Sequence, residues 1–188
     1  NFAIKLLNNT DFNINEFDVN EEPLTEDKLI GLPENLKPLF NNSSKAYKVI
    51  TKHKINNKLY SFDIREESKG TQIIFDLIPF IKDVFDNQKV LVIDELDRSL
   101  HPFIVKYIVE MFNDTDLNPK GAQLIFNTND TSLMDYEILR RDQIWFVEKS
   151  VLTGESTINS LADFSVRKEE NFEKGYLSGR YGSVPNIK

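Results

Sequence analysis

Apolar and polar positions alternate from Ala46 to Ile64. Tyr47, Val49 and Thr51 share one face, and Leu59, Ser61 and Asp63 alternate with Tyr60, Phe62 and Ile64. The two runs flank His53-Lys54-Ile55-Asn56-Asn57-Lys58, so the pattern predicts an antiparallel hairpin over 46–64. The period then changes. Ile73, Ile74, Leu77, Ile78, Ile81, Val84 and Phe85 recur at helical spacing, which predicts a helix near 71–86 with a kink or break at Pro79. Val90-Leu91-Val92-Ile93 suits a strand buried on both faces. Ala122–Phe126 and Ile144–Val147 read as two more strands. Pro102 fits the first turn of a helix near 102–113, with Ile104, Val105, Ile108, Met111 and Phe112 on its apolar face. Asn118-Pro119-Lys120-Gly121 is a turn, and Gly154 marks another before a short strand at Thr157–Leu161. Strand, helix, strand, short helix, strand predicts an α/β fold, with a parallel sheet, helical crossovers and chemistry at the C-terminal ends of the strands.

The flanks differ. Residues 1–44 are Asn-rich and acidic, interrupted by Pro23, Pro33 and Pro38. Phe2–Leu7 is a short helix candidate, and 8–44 read as loop with short pieces of structure. Residues 165–188 are charged, then Gly-rich, and read as a helix plus an irregular tail. Two parts follow: an irregular and antiparallel β lobe over 1–66, and a parallel α/β part over 67–188.

Composition narrows the chemistry. The 188 residues are 40% hydrophobic with 14 Phe, enough for a substantial core. A net charge of −7 opposes binding to phosphate backbones, so no direct nucleic-acid contact is expected. Without Cys there is no disulfide or thiolate metal site, and the two His (53 and 101) make a His-rich metal site a poor expectation. No apolar run approaches the roughly 20 residues of a membrane span. No signal peptide is visible, so a cytoplasmic setting is expected.

Four segments carry candidate chemistry. The first strand of the parallel part ends in Asp94 and Glu95. At the mouth of a sheet, Asp94 suits Mg²⁺ held through water, and Glu95 suits orienting or deprotonating an attacking water. An ordinary solvated turn has the same composition. Ser68-Lys69-Gly70-Thr71 precedes the apolar helix, where free amides, the helix dipole and a small residue favour an anion. Plain N-capping by Ser68 is the simpler reading. Asp97-Arg98-Ser99-Leu100-His101-Pro102 reads as a loop and helix start with Ser99 as cap. Asn127-Thr128-Asn129-Asp130 reads as a turn after a strand.

Taken together, their order resembles an ABC-type P-loop ATPase: signature motif, Walker B, D-loop and switch position. Asp94 follows Ser68 by 26 residues, and Asn129 follows Asp94 by 35. More narrowly, the chain is similar to the AAA-type ATPases of bacterial abortive-infection and phage-defence systems, relatives of the overcoming-lysogenization-defect ATPases. Their "DELD-S-LHP" stands here as Asp94 to Pro102, and their "THDTSLLD" as Thr128 to Asp135. Their "LRRDQIWFVEK" is Leu139 to Lys149 unchanged, and "RYG-IP" corresponds to Arg180 to Pro185. The resemblance covers residues 45–188 well and the first 44 loosely.

The resemblance implies the C-terminal half of an ATPase core that uses ATP and Mg²⁺. Ser68, Gly70 and Thr71 would contact nucleotide held by a second subunit of a homodimer. Asp94 would serve Mg²⁺, Glu95 would be the base, and Asp97, Ser99 and His101 would form the D-loop. Two departures bear on activity. Asn129 stands where the family has His, and an amide carries no proton at neutral pH. No Gly in the sequence is followed by Lys, so the phosphate-cradling G-x-x-x-x-G-K-[ST] pattern is missing. The expectation is that this loop lies upstream, in an N-terminal half with which the chain must partner, and that the chain alone is inactive. Two further readings compete. One is a non-hydrolysing nucleotide switch whose dimer controls a nuclease or toxin. The other is a TOPRIM-type nuclease built on Asp94 and Asp97, which would draw its Glu from Glu66-Glu67.

Overall fold

Opposite charges sort the first sheet. The computed structural model describes residues 2–10, 12–24, 45–166 and 170–184. Its described residues form two compact units, 1–83 and 84–188.

In the first unit, α1 (Phe2–Asn9) is followed by β1 (Ile14–Pro23), β2 (Lys45–Ile55) and β3 (Lys58–Asp63), ordered β1-β2-β3 and antiparallel throughout. The hairpin expected over 46–64 is present. It has gained β1 as a third strand of ten residues, where loop with only short pieces of structure was expected. Acidic β1 lies on basic β2: Lys52 meets Asp18 at 2.9 Å and Glu16 at 3.7 Å, and Lys45 meets Glu21 at 2.7 Å. The β2–β3 turn places Asn56 and Asn57 at positive φ, the pairing expected of a tight two-residue hairpin. The part of the expected loop at 25–44 lies outside the described residues.

Helix α2 (Lys69–Asn87) meets this sheet at β1, with Phe75 against Phe17 edge to face at 5.1 Å. Ile74, Ile78 and Ile81 are buried at the expected helical spacing. The helix runs unbroken through Pro79, contrary to a break there. Pro79 lies on the exposed side, where water can take the carbonyl that its missing N–H leaves unpaired. The boundary between the two units falls inside α2.

In the second unit, β4 (Val90–Ile93) pairs in parallel with β5 (Gln123–Phe126), and α3 (Pro102–Asn113) makes the crossover. Helix α3 buries Val105, Ile108, Val109 and Met111. The turn before β5 is locked by Asn118, whose amide donates to the carbonyls of Phe112 and Ala122 and accepts from Ala122 N–H. Neither strand is buried on both faces. Val92 is 69% exposed and Ile125 56%, because no described residue packs over that side.

The third expected strand, β6 (Trp145–Lys149), does not extend the parallel pair. It forms its own antiparallel sheet with β7 (Ser156–Ser160), closed by a turn with Gly154 at φ 74°. The stretch between β5 and β6 holds only short 3-10 turns, at Thr131–Leu133 and Arg141–Gln143, not the crossover helix that a parallel return requires. Around Phe146 a core gathers Ile144, Leu161, Val166, Phe172 and Tyr181. Phe146 stacks between Tyr176 at 5.4 Å and Tyr181 at 5.5 Å. Tyr176 belongs to α4 (Phe172–Leu177), the short helix expected in the tail.

Candidate functional site

A parallel pair leaves its last carbonyls and amides open at the C-terminal end, and here one residue makes four hydrogen bonds, three to such backbone groups and one to a carboxylate. Asn127, the first residue after β5, donates its N–H to Ile93 O at 3.3 Å and accepts from Leu96 N at 3.1 Å. Its side chain does the same one step further out. Oδ1 accepts from Glu95 N at 2.6 Å, and Nδ2 donates to Asp94 Oδ1 at 2.6 Å. The two ends of the amide are thereby assigned, since only the nitrogen can donate to a carboxylate.

This seating holds Glu95 in an unfavourable backbone conformation. Its φ is 52°, and a left-handed non-Gly residue costs about 1–2 kcal/mol. The side chain points to solvent, with one oxygen 3.6 Å from Arg98 Nη1, an exposed pair of little energetic weight.

The loop that follows is pinned at intervals. Leu96 and Leu100 are buried, Ser99 sits at φ 61°, and Asp97 Oδ1 accepts from Asn129 N at 3.4 Å. Asp94, Glu95, Asp97 and Asn129 are thus brought to one end of the parallel pair. The cap of α3 is His101, not Ser99. Its Nδ1 accepts from Phe103 N at 3.2 Å, so that nitrogen acts as an acceptor and the ring proton belongs on Nε2. Pro102 at the first position removes an N–H that would otherwise need a partner.

Ser68, Gly70 and Thr71 belong to the first unit. Ser68 Oγ accepts from Thr71 N at 3.1 Å and lies 2.8 Å from Thr71 Oγ1, which is the geometry of an N-cap. Just before it, Glu67 Oε1 is held by Thr51 Oγ1 and, at 2.7 Å, by His53 Nε2. Glu66 Oε2 accepts from Asp63 N at 2.9 Å. Both carboxylates that a TOPRIM-type centre would draw on are therefore engaged locally.

Asp94 offers a hard oxygen donor whose orientation is fixed, which suits Mg²⁺. Among the described residues no group of three or more His, Asp or Glu could hold a metal unaided. One carboxylate completed by water and phosphate oxygens is the ordinary Mg²⁺ arrangement in nucleotide sites. Asn127 was not singled out in the sequence. The signal was its place directly after the strand beside β4, where a side chain with both a donor and an acceptor can reach the acidic end.

A parallel strand pair joined by a helical crossover, with acidic residues after its first strand, is an α/β arrangement. Residues 3–135, well over half of the chain, match the family described as "AAA domain, putative AbiEii toxin, Type IV TA system". The chain belongs to this AAA-domain family, whose members are P-loop ATPases. Among solved structures it is similar to a chain from work on the ATP-driven dimerization and DNA-stimulated activation of SMC ATPases. That likeness has a TM-score of 0.46 and 15% identity, and covers 85% of this chain and 80% of that one. No curated protein matches the chain. Among the described residues no helix is long and apolar enough to cross a membrane.

Proposed function

We propose that the chain supplies the Walker B, D-loop, switch and signature elements of an ABC-type ATPase that closes as a homodimer on ATP and Mg²⁺. The observation that carries this reading is the meeting of Asp94, Glu95, Asp97 and Asn129 at one end of β4 and β5. In it, Asp94 would hold Mg²⁺ through water, and the ion would supply positive charge against the phosphates. Glu95 takes a proton from the attacking water onto a side-chain oxygen that already faces solvent. The loop through Asp97, Ser99 and His101 meets the second subunit, and Ser68, Gly70 and Thr71 meet that subunit's phosphates. The P-loop comes from an N-terminal ATPase half that lies against the exposed Val90, Val92 and Ile125. Without it the chain alone is inactive toward ATP. The cellular role is cytoplasmic defence against phage by abortive infection. The resemblance of Asp94–Asp135 and the toxin–antitoxin description of the family support this role, and the partner is an effector nuclease or toxin.

A second reading has its own support. Asn129 supplies an amide where relatives carry His, which favours a nucleotide-dependent dimer switch that hydrolyses slowly or not at all. Glu95→Gln in the full-length protein separates the two. For an ATPase, phosphate release falls by about 100-fold or more while MgATP-driven dimers persist. For a switch, wild type and variant both dimerise with MgATP and neither releases phosphate above background. Wild type that neither dimerises nor releases phosphate with MgATP refutes both.

A further inference from the structure

Two residues proposed for different tasks, Asp94 for the metal and Glu95 for the water, depend on one side chain. Asn127 Nδ2 reaches Asp94 Oδ1 and Asn127 Oδ1 reaches Glu95 N, each at 2.6 Å. The Asn127 backbone is itself bonded to the last residue of β4 through Ile93 O and to the loop beyond it through Leu96 N, which anchors the residue beside the acidic pair. Glu95 has a further need for it. Its backbone lies at φ 52°, and its N–H donates to Asn127 Oδ1.

We infer that Asn127 is a positioning residue that sets the orientation of the Asp94 carboxylate with one end of its amide and the backbone of Glu95 with the other. The inference rests on the ATPase reading above. By holding Oδ1 of Asp94, the amide fixes the direction of the remaining lone pairs toward a hydrated cation. By holding Glu95 N–H, it keeps the base in the turn that presents it to water. A hydrogen bond to a metal-serving carboxylate typically changes metal affinity or activity by about 10–100-fold when removed.

The two ends can be tested separately in the full-length protein. One readout is Mn²⁺ binding in the presence of ADP, followed by electron paramagnetic resonance. The other is turnover at saturating Mg²⁺. Asn127→Ala removes both ends and is expected to weaken Mn²⁺ binding and lower kcat, each by about tenfold. Asn127→Asp keeps an acceptor for Glu95 N–H but places a second carboxylate against Asp94. It is expected to alter Mn²⁺ binding while keeping kcat within about threefold of wild type. A side chain that only supports the fold would move both readouts together with the melting temperature, in both variants. Asn127→Ala with metal binding and kcat unchanged overturns the inference, as does equal loss of kcat in the two variants. Asp94→Ala and Glu95→Gln serve as controls: if they too change neither readout, the ATPase reading fails with it.

Discussion

Gly175 faces a space already filled. A Cβ at this position would lie 2.6 Å from Tyr181 Cζ and 2.8 Å from Cε2, with the hydroxyl nearer still. Tyr181 cannot yield easily, because it is 2% exposed and stacked on Phe146. Gly175→Ala is therefore expected to destabilise the fold by about 1–3 kcal/mol, as other overpacked cores are, read from urea unfolding followed by circular dichroism. The Tyr181 hydroxyl is buried with no hydrogen-bond partner among the described residues, so adding Tyr181→Phe should recover part of the loss. An unrescued double variant would place the strain elsewhere. Contacts of this kind were hidden in the sequence. Gly175 looked like one of several glycines in a tail, and Asn127 looked like the first residue of a turn. Asp94 and Glu95 could be read as candidates, because an apolar run ending in paired acids suits a metal site, although an ordinary solvated turn has the same composition. Asn127 could not, because its role depends on which strand lies beside β4.

Elements with a single period were legible, and those held by charge were not. Helix α2 and the β2–β3 hairpin followed from apolar spacing. Strand β1 carries few apolar residues, and its pairing partner lies across residues 24–44, so Glu16, Asp18 and Glu21 read as a solvated acidic stretch until Lys45 and Lys52 stood opposite. Likewise β6 has the apolar run of a parallel strand, yet the nearby Gly154 turn lets it pair with β7 at much smaller loop cost. The joint between β3 and α2 is a different charge device. Asp63 Oδ1 accepts from Arg65 N, and both carboxylate oxygens are gripped by the Arg65 guanidinium. That grip, the backbone bond and the nearby Lys48 hold the Asp63 carboxyl well below the usual carboxylate range. A group depressed in the folded state contributes its full stability above its unfolded value, near pH 4, and loses it as pH falls through the folded value. Thermal melts between pH 6 and pH 2 (about the range of carboxylate titration) should therefore show part of the acid destabilisation disappear in Asp63→Asn. An unchanged acid limb would assign the loss to other carboxylates.

At the scale of the whole chain, the acidic strand end is present without any Gly-Lys phosphate loop in the sequence. In P-loop proteins the backbone amides and Lys of that loop hold the phosphates. Calorimetry of residues 1–188 with MgATP is thus expected to show binding no tighter than about millimolar, equivalent to roughly 4 kcal/mol. Micromolar binding would mean that the phosphates are held by residues other than those proposed. Measurements of this sort need a way to tell the two compact units apart, and the sequence provides one. Trp145 is the single tryptophan, half-exposed on β6 with its indole N–H donated to Asp142 O at 3.1 Å. Residues 1–83 contain no tryptophan, and Tyr47 and Tyr60 are their only tyrosines. Excited at the red edge of its absorption, the protein therefore emits light from residues 84–188 alone. Unlabelled chain can then report whether its second unit melts with the first or apart from it.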